Sequence, residues 1–126
     1  MSAASSAPTV GQPLPRAHDA HADSEKLEWI LAEHGHGPEW ARVLSVASDS
    51  SELVWSAIAE SVLDAPVSSI RDLSPFGLGC EVRVVLTLNE RTSPILTAWH
   101  YRQAGDAPRL ITAYPTSYTG SHASRP

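Results

Sequence analysis

The stretch VRVVLTLNERTSPILTAWHY, residues 82–101, decides the fold. Val82, Val84, Leu86 and Leu88 fall at every second position with Arg83 and Thr87 between them, and a period of two marks a strand with one buried face. NERTSP, residues 89–94, supplies the Asn and Pro that turn a chain, and Ile95 to Tyr101 then forms a second strand. The loop RQAGDAPR, residues 102–109, with Gly105 and Pro108, leads into a third strand from Leu110 to Tyr114. Short connections between three successive strands give an antiparallel meander over 82–88, 95–101 and 109–114.

Ahead of Pro66 the period is helical. After Asp23 and Ser24, which suit a helix start, Leu27, Ile30 and Leu31 fall on one face that His34 continues, until Gly35 and Gly37 stop the helix. A second helix begins near Pro38, a residue favoured in a first turn, and carries Trp40, Val43, Leu44 and Ala47. A third follows Asp49–Ser51 with Val54, Ala57, Ile58, Ser61 and Val62 on one stripe. Helices followed by a meander predict an α+β fold in which N-terminal helices pack on one face of a small antiparallel sheet. Residues 1–13 are rich in Ser, Ala, Pro and Gly and read as a disordered lead or linker; residues 14–115 read as a single domain, and 116–126 as a flexible tail.

Composition discards whole classes of function. The chain of 126 residues is the size of one domain, and an apolar fraction of 42% with four Trp is enough for a core. A net charge of −5 argues against holding nucleic acid by bulk electrostatics but leaves room for a local basic site. The single cysteine, Cys80, excludes an internal disulfide and a cysteine-rich zinc site. No apolar run approaches the ~20 residues of a membrane span, and the start lacks the pattern of a secretory signal. The expected location is the cytoplasm, of the producing or of a target cell. His34 and His36, with His18 and His21 upstream, lack the cysteines or paired carboxylates of a strong metal motif, so neither metal nor cofactor is expected. No nucleophile elbow or phosphate-cradling glycine loop is present.

LPRAHDAHADSEKLEWILAEHGHGPEWARVL, residues 14–44, together with RTSPILTAWHYRQAGDAPRLITAYP, residues 91–115, resembles a family of small bacterial domains of unassigned function. Those domains occur alone or at the C-terminal tip of larger toxin-like proteins. The matching features are Leu14 and Pro15, Lys26 and Leu27, His34 and Gly37, Trp99, and the block from Pro108 to Pro115. One departure stands out: where the family often has a lysine before the alanine of the second helix, this chain has Trp40 before Ala41. The resemblance implies, by analogy of fold, the compact ribonuclease group of barnase, EndoU, the colicin ribonucleases and RelE-like toxins, in which RNA lies on the sheet. It further implies RNA as substrate, tRNA among the candidates, and a cognate immunity or antitoxin protein as partner.

Metal-free RNA cleavage needs a base for the 2′-hydroxyl proton, an acid for the leaving 5′-oxygen, and a cation or hydroxyl for the phosphorane charge. Imidazole suits the first two roles because its reference pKa of ~6.5 lies near working pH. The candidate catalytic residues are His34 at the glycine-broken end of the first helix, Arg109 at the mouth of the third strand, and Thr112 and Tyr114 along it. Alternation puts Leu110, Thr112 and Tyr114 on one face and Arg109, Ile111 and Ala113 on the other. Lys26, two turns before His34, His36, and Thr97 on the neighbouring strand are candidate substrate contacts. Each has an ordinary structural reading too: a helix-end histidine interacts with the helix dipole, and threonine and tyrosine are favoured strand formers. The competing function is a non-catalytic protein-binding module on the same scaffold, whose open sheet face or strand edge meets another protein.

Overall fold

Three helices on one face of a four-stranded sheet make up the computed structural model, which describes residues 7–32 and 35–116. The elements are α1 (Ser24–Ile30), α2 (Gly37–Leu44), α3 (Ser51–Ser61), β1 (Val67–Asp72), β2 (Leu78–Leu88), β3 (Arg91–Tyr101) and β4 (Arg109–Pro115). The sheet runs in the order β1-β2-β3-β4 with every neighbouring pair antiparallel. The protein is therefore an α+β domain in which the helices precede the sheet. Among the described residues no helix is long and apolar enough to cross a membrane.

Period-two patterning drives the layering. Cys80, Val82, Val84, Leu86 and Leu88 of β2 and Ile95, Trp99 and Tyr101 of β3 are buried toward the helices, which contribute Leu27, Ile30, Trp40, Leu44, Val54 and Ile58. Removing each such side chain from water contributes about 1.5–3 kcal/mol. The opposite face leaves Arg83, Val85 and Thr87 exposed along β2.

The strands are longer than expected, and one is added. Asn89 and Glu90 alone form the β2–β3 turn, at φ 54° and 64°, the left-handed conformation of a two-residue hairpin whose twist matches the flanking strands. Thr92, Ser93 and Pro94 consequently lie in β3 and not in a loop. Pro94 is tolerated there because a residue's N and C=O point the same way in a strand: its carbonyl accepts from Thr116 N–H at 3.0 Å, so the missing N–H faces past the end of β4 and costs β2 nothing. Asn89 also donates through Nδ2 to the carbonyls of Leu44 (2.9 Å) and Ser45 (3.1 Å), capping α2 where Ser45 turns left-handed at φ 57°. The additional strand, β1, reads VSSIRD; only Val67 is fully buried, so it carries no alternating signal.

The N-terminal boundary also moves. The lead expected to end at residue 13 pairs with β1: Gly11 N–H donates to the Val67 carbonyl at 2.9 Å, and Val67 N–H to the Gln12 carbonyl at 2.8 Å. A further bridge joins Pro13 to Pro66. Leu14 is buried just beyond, and Tyr101 Oη donates to the Pro15 carbonyl at 2.7 Å. Helix α1 ends at Ile30, before the glycines, with Leu31 as its cap residue.

Trp40 is 0% exposed, and its Nε1–H donates to the Ala113 carbonyl of β4 at 3.1 Å. A lysine at this site would have to place its ammonium in the core, so in this chain position 40 serves packing and not chemistry. Trp40→Phe keeps an aromatic side chain but removes the indole N–H and leaves that carbonyl unpaired, and we expect a loss of about 1–3 kcal/mol in chemical denaturation. Deleting residues 1–13 removes both outer hydrogen bonds of Val67. At ~1 kcal/mol per bond and ~4 °C per kcal/mol, the thermal midpoint should fall by about 5–10 °C; an unchanged midpoint would make those residues dispensable.

Candidate functional site

The end of the sheet where β3 stops and β4 starts gathers the chemistry. Register places His100 opposite Arg109 on the face away from the helices, with Gly79 of β2 on its other side. The connection from β1 to β2 folds back over this end as a tight turn. Asp72 Oδ1 accepts from the N–H (2.9 Å) and the hydroxyl (2.6 Å) of Ser74, Phe76 N–H donates to the Leu73 carbonyl at 2.8 Å, and Leu73 N–H to the Gly77 carbonyl at 2.9 Å. Gly77 is obligatory: φ is 105°, and a Cβ there would collide with the Tyr101 carbonyl oxygen. Pressed against β3 in this way, the turn presents the Phe76 carbonyl to His100 Nε2 at 2.5 Å. A carbonyl can only accept, so Nε2 carries the proton and Nδ1 is the basic nitrogen of the neutral ring.

The hydrogen bonds from the Ser74 hydroxyl and N–H hold the Asp72 carboxyl below its ordinary value. A lowered folded-state pKa means that this contribution is present above the ordinary aspartate range and is lost only as pH falls below it. The turn therefore keeps its geometry across the whole range in which imidazoles titrate.

His21 reaches the same place from the other end of the chain. Its N–H donates to the Pro108 carbonyl (3.1 Å) and its carbonyl accepts from Leu110 N–H (2.9 Å), a one-residue parallel bridge alongside Arg109. The loop after β3 is pinned by Arg16, whose guanidinium donates to the Gly105 carbonyl at 2.8 Å and to Asp19 at 3.0 Å. The result is a cleft of about 760 Å³ lined by His21, Phe76, His100, Arg102, Asp106 and Arg109, among others. Two guanidinium groups face one carboxylate in it, a local positive balance in an acidic chain. Arg109 also lies 4.0 Å from Asp23, a loose exposed pair that is worth little and leaves the guanidinium able to change partner.

The residues expected to share one groove separate. Arg109 is in the cleft. Tyr114, five residues further along β4 and so ~15 Å away, stacks on His36 with ring centroids 4.7 Å apart. Thr112 lies between, half-buried on the open face opposite Ala98. Lys26 is exposed on α1, in a separate groove with Asp23, Glu25 and Trp29. His34 lies outside the described residues. The strict alternation expected in β4 is broken by a bulge between the pairs Ala98–Thr112 and Trp99–Leu110, which leaves Ile111 without a partner residue. Leu110 and Ala113 accordingly both enter the core, while Thr112 and Tyr114 stay on the open face.

Thr97 is corrected outright as a substrate contact. It is 0% exposed, donates to the Val82 carbonyl at 2.7 Å and accepts Trp99 Nε1–H at 2.8 Å. Cys80 is likewise a core residue, and burial pushes its thiol up to about 11, which leaves it un-ionised at neutral pH. Burial also raises the Tyr101 phenol, with Cys80 as a lesser cause.

The chain belongs to the family described as a domain of unknown function, DUF6883, whose model matches residues 13–117. That span contains every helix and strand and all the cleft residues named above. No curated protein and no solved structure matches the chain.

Thr97→Val deletes a hydroxyl that satisfies two buried groups at once. Stability should drop by roughly 1–3 kcal/mol in denaturant titration, with any activity of the cleft intact in the folded fraction.

Proposed function

We propose that this domain is a metal-independent endoribonuclease of a bacterial toxin or toxin–antitoxin system, acting in the cleft at the β3–β4 end of the sheet. The observation that carries the reading is the meeting there of two histidines and two arginines from separate segments of the chain. They are the acid, the base and the phosphate-binding cations that RNA transesterification needs. The catalytic histidines are thus His100 and His21. His34 lies outside the described residues, and His36 is engaged with Tyr114 at the far end of β4.

In this mechanism His100, tied through Nε2–H to the Phe76 carbonyl, takes the proton of the substrate 2′-hydroxyl on Nδ1. The 2′-oxygen attacks the adjacent phosphorus, the bond to the 5′-oxygen breaks, and protonated His21 donates to that leaving oxygen. The products are a 2′,3′-cyclic phosphate and a free 5′-hydroxyl. Arg109, released from Asp23, and Arg102 take the negative charge that grows on the non-bridging oxygens, and a guanidinium fork suits that role. A cognate immunity or antitoxin protein, in this reading, neutralises the domain by placing carboxylates in the cleft.

His100→Ala and His21→Ala should each lower cleavage of an RNA oligonucleotide by ~10²- to 10⁴-fold with folding retained, and the wild-type profile should be bell-shaped in pH because one ring must be neutral and the other charged. DNA of the same sequence, lacking the 2′-hydroxyl, should remain whole. Full activity in either histidine variant would remove that residue from the mechanism. A wild-type protein that cleaves no RNA under any condition would shift the reading to a non-catalytic binding module using the same face.

A further inference from the structure

Resting on the ribonuclease reading of the same cleft, we infer that Phe76 is a stacking platform for a nucleobase beside the scissile phosphate, which restricts the substrate to single-stranded RNA. Phe76 is the most exposed large apolar side chain among the described residues, at 71%. It is held out by a built turn: the Asp72–Ser74 hydrogen bonds, the two backbone bonds that close Leu73 to Phe76 and Gly77, and the approach of Gly77 to Tyr101 fix the backbone that carries the ring. An apolar surface fixed in water by so many polar contacts costs solvation free energy unless something flat covers it.

The surroundings select what covers it. Arg102 and Arg109 line the same cleft, so a ligand that uses the ring must also carry negative charge. An aromatic face beside a cationic track is how single-stranded nucleic acid is held without sequence reading. The Phe76 carbonyl also accepts the His100 hydrogen bond, so one residue positions the base platform through its side chain and the general base through its backbone. Stacking on Phe76 therefore sets where the ribose 2′-hydroxyl falls relative to Nδ1. In a duplex both faces of each base are already covered by neighbouring base pairs, and the ring has nothing to stack on.

The test uses the whole chain and an unstructured RNA 12-mer with every 2′-oxygen methylated, which cannot be cleaved, measured as a single strand and annealed to its complement. Wild type should bind the single strand more tightly than the duplex. Phe76→Ala should weaken single-strand binding roughly 5- to 100-fold and abolish the preference; with unmethylated RNA, KM should rise and kcat should also fall, because the 2′-hydroxyl is no longer held against Nδ1. Phe76→Trp should restore both and Phe76→Leu neither, which separates a π-face from mere apolar area. Equal affinity of wild type and Phe76→Ala, or full rescue by Phe76→Leu, would overturn the platform while leaving the ribonuclease reading to the histidine variants. A Phe76-dependent preference for single strands without cleavage by wild type would do the reverse.

Discussion

The pairing of β2 with β3 along their whole length, from Leu78 opposite Tyr101 to Leu88 opposite Arg91, is the constraint on which the domain depends. Because side chains alternate between faces, this register alone decides that Val82 and Ile95 enter the core and that Arg83 and His100 do not. A slip of one residue would exchange the two sets, burying a guanidinium and exposing valines, so the alternatives are steeply disfavoured. The Asn89–Glu90 turn fixes the register at one end, and the contact of Gly77 with the Tyr101 carbonyl fixes it at the other. The helices are then placed by what the sheet leaves apolar, with Asn89 and the Ala113 carbonyl each tying α2 to it by a specific bond.

What was legible in the sequence followed from periodicity over enough residues. The alternation in β2 and the stripes Leu27–Ile30–Leu31 and Val54–Ala57–Ile58–Ser61–Val62 report burial directly, and all of those residues are buried except Ala57 and Ser61, which are half-buried. The reading failed where a single residue overrode the pattern. Glu90 adopts a left-handed conformation with no glycine to announce it, so the hairpin looked like a longer loop. The extra Ile111 in β4 shifts Leu110 into the core, which no period-two count can anticipate. Strand β1 has too few buried positions to show a period at all.

The site was less legible than the fold, because its members are joined by contacts between distant segments. Arg109 was recognisable at the mouth of a strand, whereas His100, which period two sets on the face opposite Thr97 and Trp99, reads in the sequence as a half-buried strand residue and not as a base. His21 carries no local signal: it lies in an irregular segment and gains its place only through backbone bonds to Pro108 and Leu110. Thr97 shows the converse error. A hydroxyl in a strand looks available until its neighbours are known, and here both its donor and its acceptor capacity are used inside the core.

The path of the N-terminal segment has a bearing on how the domain comes into being. Within a dozen residues it bonds to both margins of the sheet, at Val67 of β1 through Gly11 and Gln12, and at Pro108 and Leu110, on either side of Arg109, through His21. Both outer rows of backbone groups are thereby partly occupied by the chain itself, which blunts the pairing of sheets edge to edge between molecules. It also sets an order of assembly on the ribosome. Arg16 must wait for Gly105, and His21 for Pro108 and Leu110, before their bonds to the sheet end can form. The cleft consequently cannot form until Leu110 has been made, and until then its histidines and arginines stay apart.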